Sequence, residues 1–143
     1  ASDLGVADCV EFIPPVAVEN VPYYIATAHV GIYPAIPDPH MDIALPSKVL
    51  EYAVVGIPIV ASRLSVLESF FADSGILFFE PGDTKGFIDL IKQLYASKAL
   101  RSTVVEQTNH AVVDRYTWPN EFEPYAQALE WKSPTPVVES QKH

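Results

Sequence analysis

Leu45-Pro46-Ser47-Lys48-Val49-Leu50-Glu51-Tyr52, followed by Gly56-Ile57-Pro58-Ile59-Val60-Ala61-Ser62, is the stretch that decides the fold. Proline stops an irregular segment, and Ser47 reads as the N-cap of a helix that runs through Glu51 to Val55. Gly56 reads as its C-cap. Pro58 to Ser62 is a short apolar run bounded by turn residues, as a buried strand is. Helix followed at once by buried strand is the unit of a parallel α/β sheet.

Working outward, the same alternation continues. Val30 to Tyr33 is an apolar run ended by Pro34 and predicts a strand. Gly75 to Phe79 predicts another, closed by the turn Glu80-Pro81-Gly82-Asp83. Cys9 to Ile13 looks alike and predicts a fourth, with Cys9 as a small buried hydrophobe. Helices are predicted over Glu19 to Ala28, where Val21, Tyr24, Ile25 and Ala28 recur at helical spacing, and over Leu67 to Ala72. Phe87 to Ala96 has the apolar stripe of an amphipathic helix. Residues 99 to 115 predict a more polar helix. Trp118 to Trp131 predicts a last one, with Pro124 as a potential break. Residues 34 to 46 hold Pro34, Pro37, Pro39 and Pro46 and read as a rigid loop. The fold class expected is α/β, a Rossmann-like parallel sheet flanked by helices. Residues 1–131 are expected to form one partial domain, and residues 132–143 a disordered tail.

The chain has 143 residues, 49% hydrophobic and 19% charged, which suits one globular domain. Its formal charge of −9 disfavours non-specific nucleic-acid binding. No apolar run approaches the roughly 18 residues that a bilayer requires. No charged segment followed by an apolar one opens the chain, so no signal peptide is expected. With one cysteine, a reducing, cytoplasmic setting is expected. His29, His40, His110 and His143 are scattered without metal-ligand spacing, so no metal or other cofactor is expected. His29 reads as a packed histidine at a strand start.

The chemistry that the central stretch offers is anion binding. In an open parallel sheet, ligands sit beyond the carboxyl ends of the strands. A helix beginning at Ser47 presents unpaired N–H groups and a positive dipole end. Lys48 adds a point charge there. Glu51 lies one turn later, on a face close to Ser47 and Lys48, where a carboxylate can accept two ribose hydroxyls. A diphosphate at the helix start and a ribose at Glu51 describe a nucleoside diphosphate site. The same residues also suit plainer roles: Ser47 as a cap, Lys48 and Glu51 as solvated surface charges.

Pro46-Ser47-Lys48-x-x-Glu51-Tyr52, then Gly56-x-Pro58 with Val60-Ala61-Ser62, resembles the donor-binding segment of the retaining family 4 (group 1) glycosyltransferases, which have two Rossmann domains (the GT-B architecture). Leu4 to Phe12, Tyr23 to Val30, Gly75 to Asp83 and Trp118 are similar to further family segments in the same order. The resemblance implies the C-terminal, donor-binding domain of an enzyme that moves a hexosyl group from a nucleotide diphosphate sugar to an acceptor hydroxyl, with retention. It implies donor binding by Pro46, Ser47, Lys48, Val49 and Glu51, with the nucleotide sugar as substrate and no cofactor.

Two departures qualify it. Where many members carry a second glutamate eight positions before Glu51, this chain has Ile43. Asp42 is displaced by one, so His40 and Asp42 are either a sugar pocket or plain loop residues. The family's early strands and Gly-rich turn have no counterpart here, and the acceptor domain is absent. This chain alone is therefore expected to be inactive, with its catalytic residues unassigned.

A sheet order of 3-2-1-4-5-6 puts the absent strands beside Val30 to Tyr33 and leaves an apolar edge. The expected partner at that edge is the missing half or a second copy of the chain. The resemblance also leaves room for membrane association of the intact enzyme. A non-catalytic α/β association module with the same fold is the alternative function, and a related epimerase a weaker one.

Overall fold

The computed structural model describes residues 2–41 and 43–129. Its centre is a parallel three-stranded sheet in the order β1-β2-β3: Gly31–Tyr33, Ile59–Ser62 and Leu77–Phe79. Gly31 pairs with Ile59, and Val60 with Leu77. The helices are α1 (Val21–Ala26), α2 (Ser47–Val55), α3 (Ser65–Phe71), α4 (Thr84–Ala96), α5 (Lys98–Thr108) and α6 (Trp118–Ala128). The chain is thus α/β, with helices on both faces of a parallel sheet.

Strand β2 explains the two-layered core. All four of its residues are buried. Side chains alternate across a strand, so Ile59 and Ala61 join Val49, Ala53, Leu64, Leu67 and Phe71 on one face. Val60 turns the other way, to Leu94, Val104 and Phe79. Two close approaches lock the layers. The Tyr52 ring lies where a side chain on Gly31 would stand, so α2 can pack directly on β1. The Val104 carbonyl fills the same space over Gly75, which brings α5 against the entry to β3. Thr108 donates its hydroxyl to that carbonyl at 2.7 Å, and is itself buried.

Several boundaries move, each for a local reason. Helix α4 starts three residues before Phe87, because Asp83 accepts from the Gly86 N–H at 2.9 Å and caps it. Helix α3 starts at Ser65 rather than Leu67. The first predicted helix divides into a 3-10 turn, Val18–Asn20, and α1. The polar helix over 99 to 115 ends at Thr108 and widens into a π turn, Asn109–Val113, which carries Val112 into the core beside α2. Helix α6 runs through Pro124 without ending there.

Three expectations are corrected. Cys9 to Ile13 is not a strand: Ala7–Cys9 is a 3-10 turn, and residues 10–17 carry no strand or helix. A strand needs a ladder partner for its backbone groups, and none lies beside this segment. Cys9 is consequently exposed rather than buried. His29 is also exposed. The predicted tail, 132–143, lies outside the described residues, as do Glu130 and Trp131. Among the described residues, no helix is long and apolar enough to cross a membrane.

Candidate functional site

Helix α2 separates its residues by face. Val49 and Ala53 point into the core and anchor it. Ser47, Leu50, Glu51 and Val54 lie on the side turned to α1, where Val18, Val21, Pro22 and Ile25 form the opposing wall. The result is a groove of about 480 Å³. Its walls are mostly aliphatic, with a hydroxyl and a carboxylate one helical turn apart. Both Ser47 and Glu51 are exposed, so both are available to a ligand.

The helix start is built differently from the sequence expectation. Pro46, with extended backbone at φ −75 and ψ 121, takes the N-cap position, and Ser47 is the first helical residue. Ser47 makes no capping bond, which leaves its hydroxyl free of that duty. Proline fits this place because its fixed φ and missing N–H cost the helix nothing at its start. The N–H groups of Ser47 and Lys48 have no acceptor within the helix, as first-turn groups never do. The N–H of Val49 donates back to the Pro46 carbonyl at 3.2 Å. The far end of α2 is closed by Gly56 at φ 81, whose N–H bonds the Tyr52 and Ala53 carbonyls.

Of the residues singled out by sequence, Ser47 and Glu51 meet in the groove. Lys48 is exposed at the helix start but does not line it. Val49 has a fully buried side chain, so its part is to hold α2 in place. His40 is exposed in the proline-rich loop and likewise stands outside the groove. Asp42 lies outside the described residues. Asp38 organises the loop at His40: its carboxylate accepts from the N–H groups of Met41 and His40, both at 2.8 Å. Those bonds, Met41 first, hold its carboxyl below the usual aspartate value. Burial raises the Tyr52 phenol above its ordinary value, and the neighbouring Glu51 carboxylate adds to this.

The α1 wall is what the sequence did not assign to the site. Val21 and Ile25 were visible as a helical stripe, but a stripe does not say which helix it will face. Among the described residues, no three or more His, Cys, Asp and Glu side chains gather as metal ligands would.

Comparison with known proteins gives this arrangement a family. Residues 1–97 match the family model described as "Glycosyl transferases group 1". Among solved structures, a sucrose-phosphate synthase from Thermosynechococcus elongatus is similar in fold, with a TM-score of 0.74 at 19% identity. The match covers 92% of this chain and 33% of the synthase chain, so this chain spans about a third of that protein. No curated protein matches it. Since the family model takes in well over half of its residues, the chain belongs to the group 1 glycosyltransferases.

Proposed function

We propose that the chain is the greater part of a donor-binding domain, and that the groove between α1 and α2 receives the nucleoside part of a nucleotide diphosphate sugar. The observation that carries this reading is the pairing, within one groove, of an aliphatic wall with Ser47 and Glu51 at the start of a helix. Glu51 accepts the ribose hydroxyls, and the aliphatic wall takes the adjoining apolar face. The diphosphate lies at the free N–H groups of Ser47 and Lys48, with the Lys48 ammonium as counter-charge. The intact enzyme then transfers a hexosyl group to an acceptor hydroxyl, with retention of configuration and without a cofactor. His40 and Asp42, which precede α2 in the sequence, are the candidates for contact with the sugar.

Calorimetric titration of the chain with uridine diphosphate and with guanosine diphosphate tests this. One nucleotide binds, and Glu51→Ala weakens it at least tenfold, about 1.4 kcal/mol. Equal binding by wild type and Glu51→Ala would remove the ribose role. The open edge of β1 favours a second reading, a non-catalytic association module. That reading gains if the folded chain binds neither nucleotide.

A further inference from the structure

Away from the groove at Glu51, the end of α3 and the π turn after α5 enclose a pocket of about 230 Å³. Ser69, Phe70 and Asp73 come to it from α3 and its following turn, and His110, Ala111 and Arg115 from the π turn and the residues after it. The π turn that sends Val112 into the core presents His110 and Ala111 here. Two supports hold the charged groups of the pocket in place. Phe71 is buried, and Tyr116 packs edge-on against it with ring centres 5.7 Å apart. The Tyr116 hydroxyl donates to the Phe70 carbonyl at 3.3 Å, and the Arg115 guanidinium lies 5.3 Å over the Tyr116 ring. Across the pocket, Ser74 donates its N–H and its hydroxyl to the Phe71 carbonyl, at 3.0 and 2.7 Å, which fixes the turn that carries Asp73. Asp73 and Arg115 thus line one pocket, yet among the described residues neither forms an ion pair.

We propose that this pocket is a saccharide-binding site, which takes a single pyranose unit with neighbouring hydroxyls bridging Asp73 and Arg115. A hydroxyl both donates and accepts, so a pair of them suits a carboxylate that only accepts beside a guanidinium that only donates. The other groups fit the same ligand. The Ser69 hydroxyl donates to the Val66 carbonyl at 2.8 Å and keeps its lone pairs for a sugar hydroxyl. His110 Nδ1 lies 3.1 Å from an Asp114 carboxylate oxygen, which holds the ring proton there and leaves Nε2 to accept. Phe70 keeps 43% of its surface exposed and offers an apolar face to the C–H side of the ring. Asp73 repels a phosphate, and Arg115 repels a simple cation. A free amino acid would satisfy the two charges and leave Phe70 and Ser69 unused. Sugars are also the chemistry of group 1 glycosyltransferases, and this one support rests on the family. The pocket shares no residue with the groove at Glu51, so the proposal stands whether or not a nucleotide binds there.

The test is a titration of the chain, followed by backbone amide resonances, with the methyl α-pyranosides of glucose, mannose and galactose, and separately with inorganic phosphate and glycine. At least one glycoside moves Phe70, Asp73, His110 and Ala111 and leaves Ser47 and Glu51 in place, while phosphate and glycine move none of them. Asp73→Asn and Arg115→Gln each weaken that binding about tenfold or more, the worth of a charged hydrogen bond. Both side chains are exposed, so both variants keep the melting temperature. Should Arg115→Gln not fold, Arg115→Lys replaces it, and the loss of the planar fork weakens binding despite the retained charge. No movement with any of the three glycosides overturns the proposal. So does glycoside binding that survives both substitutions. Movement of the same residues by phosphate or glycine alone overturns it in favour of an anion or amino-acid site. Nucleotide binding reads at Ser47 and Glu51, so the two proposals fail separately.

Discussion

Strands β1 and β2 are both short and mainly apolar, and their surroundings differ. Ile59, Val60 and Ala61 of β2 have no exposed surface, because strands lie on both sides and helices on both faces. In β1, Ile32 keeps 39% of its surface exposed, and β2 pairs with the strand on one side only. The difference is one missing neighbour. It shows that burial of an apolar strand is a property of its place in the sheet. It also divides the sheet: β2 is enclosed, while β1 and β3 each keep one open edge, and the candidate site lies at α2, which packs on β1.

The comparison can be broken by mutation, and the effects should fall in a fixed order. Ile59→Ala empties a fully buried position and costs about 2–5 kcal/mol in chemical denaturation. Gly31→Ala sets a methyl against the Tyr52 ring and costs about 1–3 kcal/mol, since α2 must shift to admit it. Ile32→Ala, on the open edge, costs less than about 1 kcal/mol in the same assay. A loss at Ile32 as large as that at Ile59 would mean that the edge is covered in solution.

The smallest effect is electrostatic and local. The folded carboxyl of Asp38 sits below its ordinary value, so the stabilisation that it gives the loop is present above that value. It is lost as the pH falls through the unfolded and then the folded pKa. The amide resonances of His40 and Met41 should titrate together with a midpoint below 3.8. A midpoint at or above 3.8 would mean that the two N–H bonds are not kept in solution.

What could be read from the sequence follows from how local each signal is. Val30 to Tyr33, Pro58 to Ser62 and Gly75 to Phe79 are strands, as their apolar runs between turn residues suggest. Cys9 to Ile13 has a similar pattern and fails, because pairing is a relation to a neighbour rather than a property of a segment. The start of α4 was missed because Thr84, Lys85 and Gly86 carry no apolar stripe, while the Asp83 cap acts through a backbone N–H. The Gly56 cap was plain, since a left-handed residue after a helix calls for glycine. At the site, Ser47 and Glu51 could be placed on one face from their spacing alone. The α1 wall could not, because only the fold brings it there.

The proposed donor groove competes with a smaller cavity at the carboxyl ends of the strands, lined by Pro34, Ser62, Phe79, Gly82 and Thr84. The most direct measurement is a nucleotide titration followed residue by residue through backbone amide resonances. The account predicts that uridine or guanosine diphosphate moves Ser47, Lys48, Leu50 and Glu51 together with Val21 and Ile25, and leaves Ser62, Gly82 and Thr84 in place. Movement centred on Ser62, Gly82 and Thr84, with α2 unchanged, would contradict it.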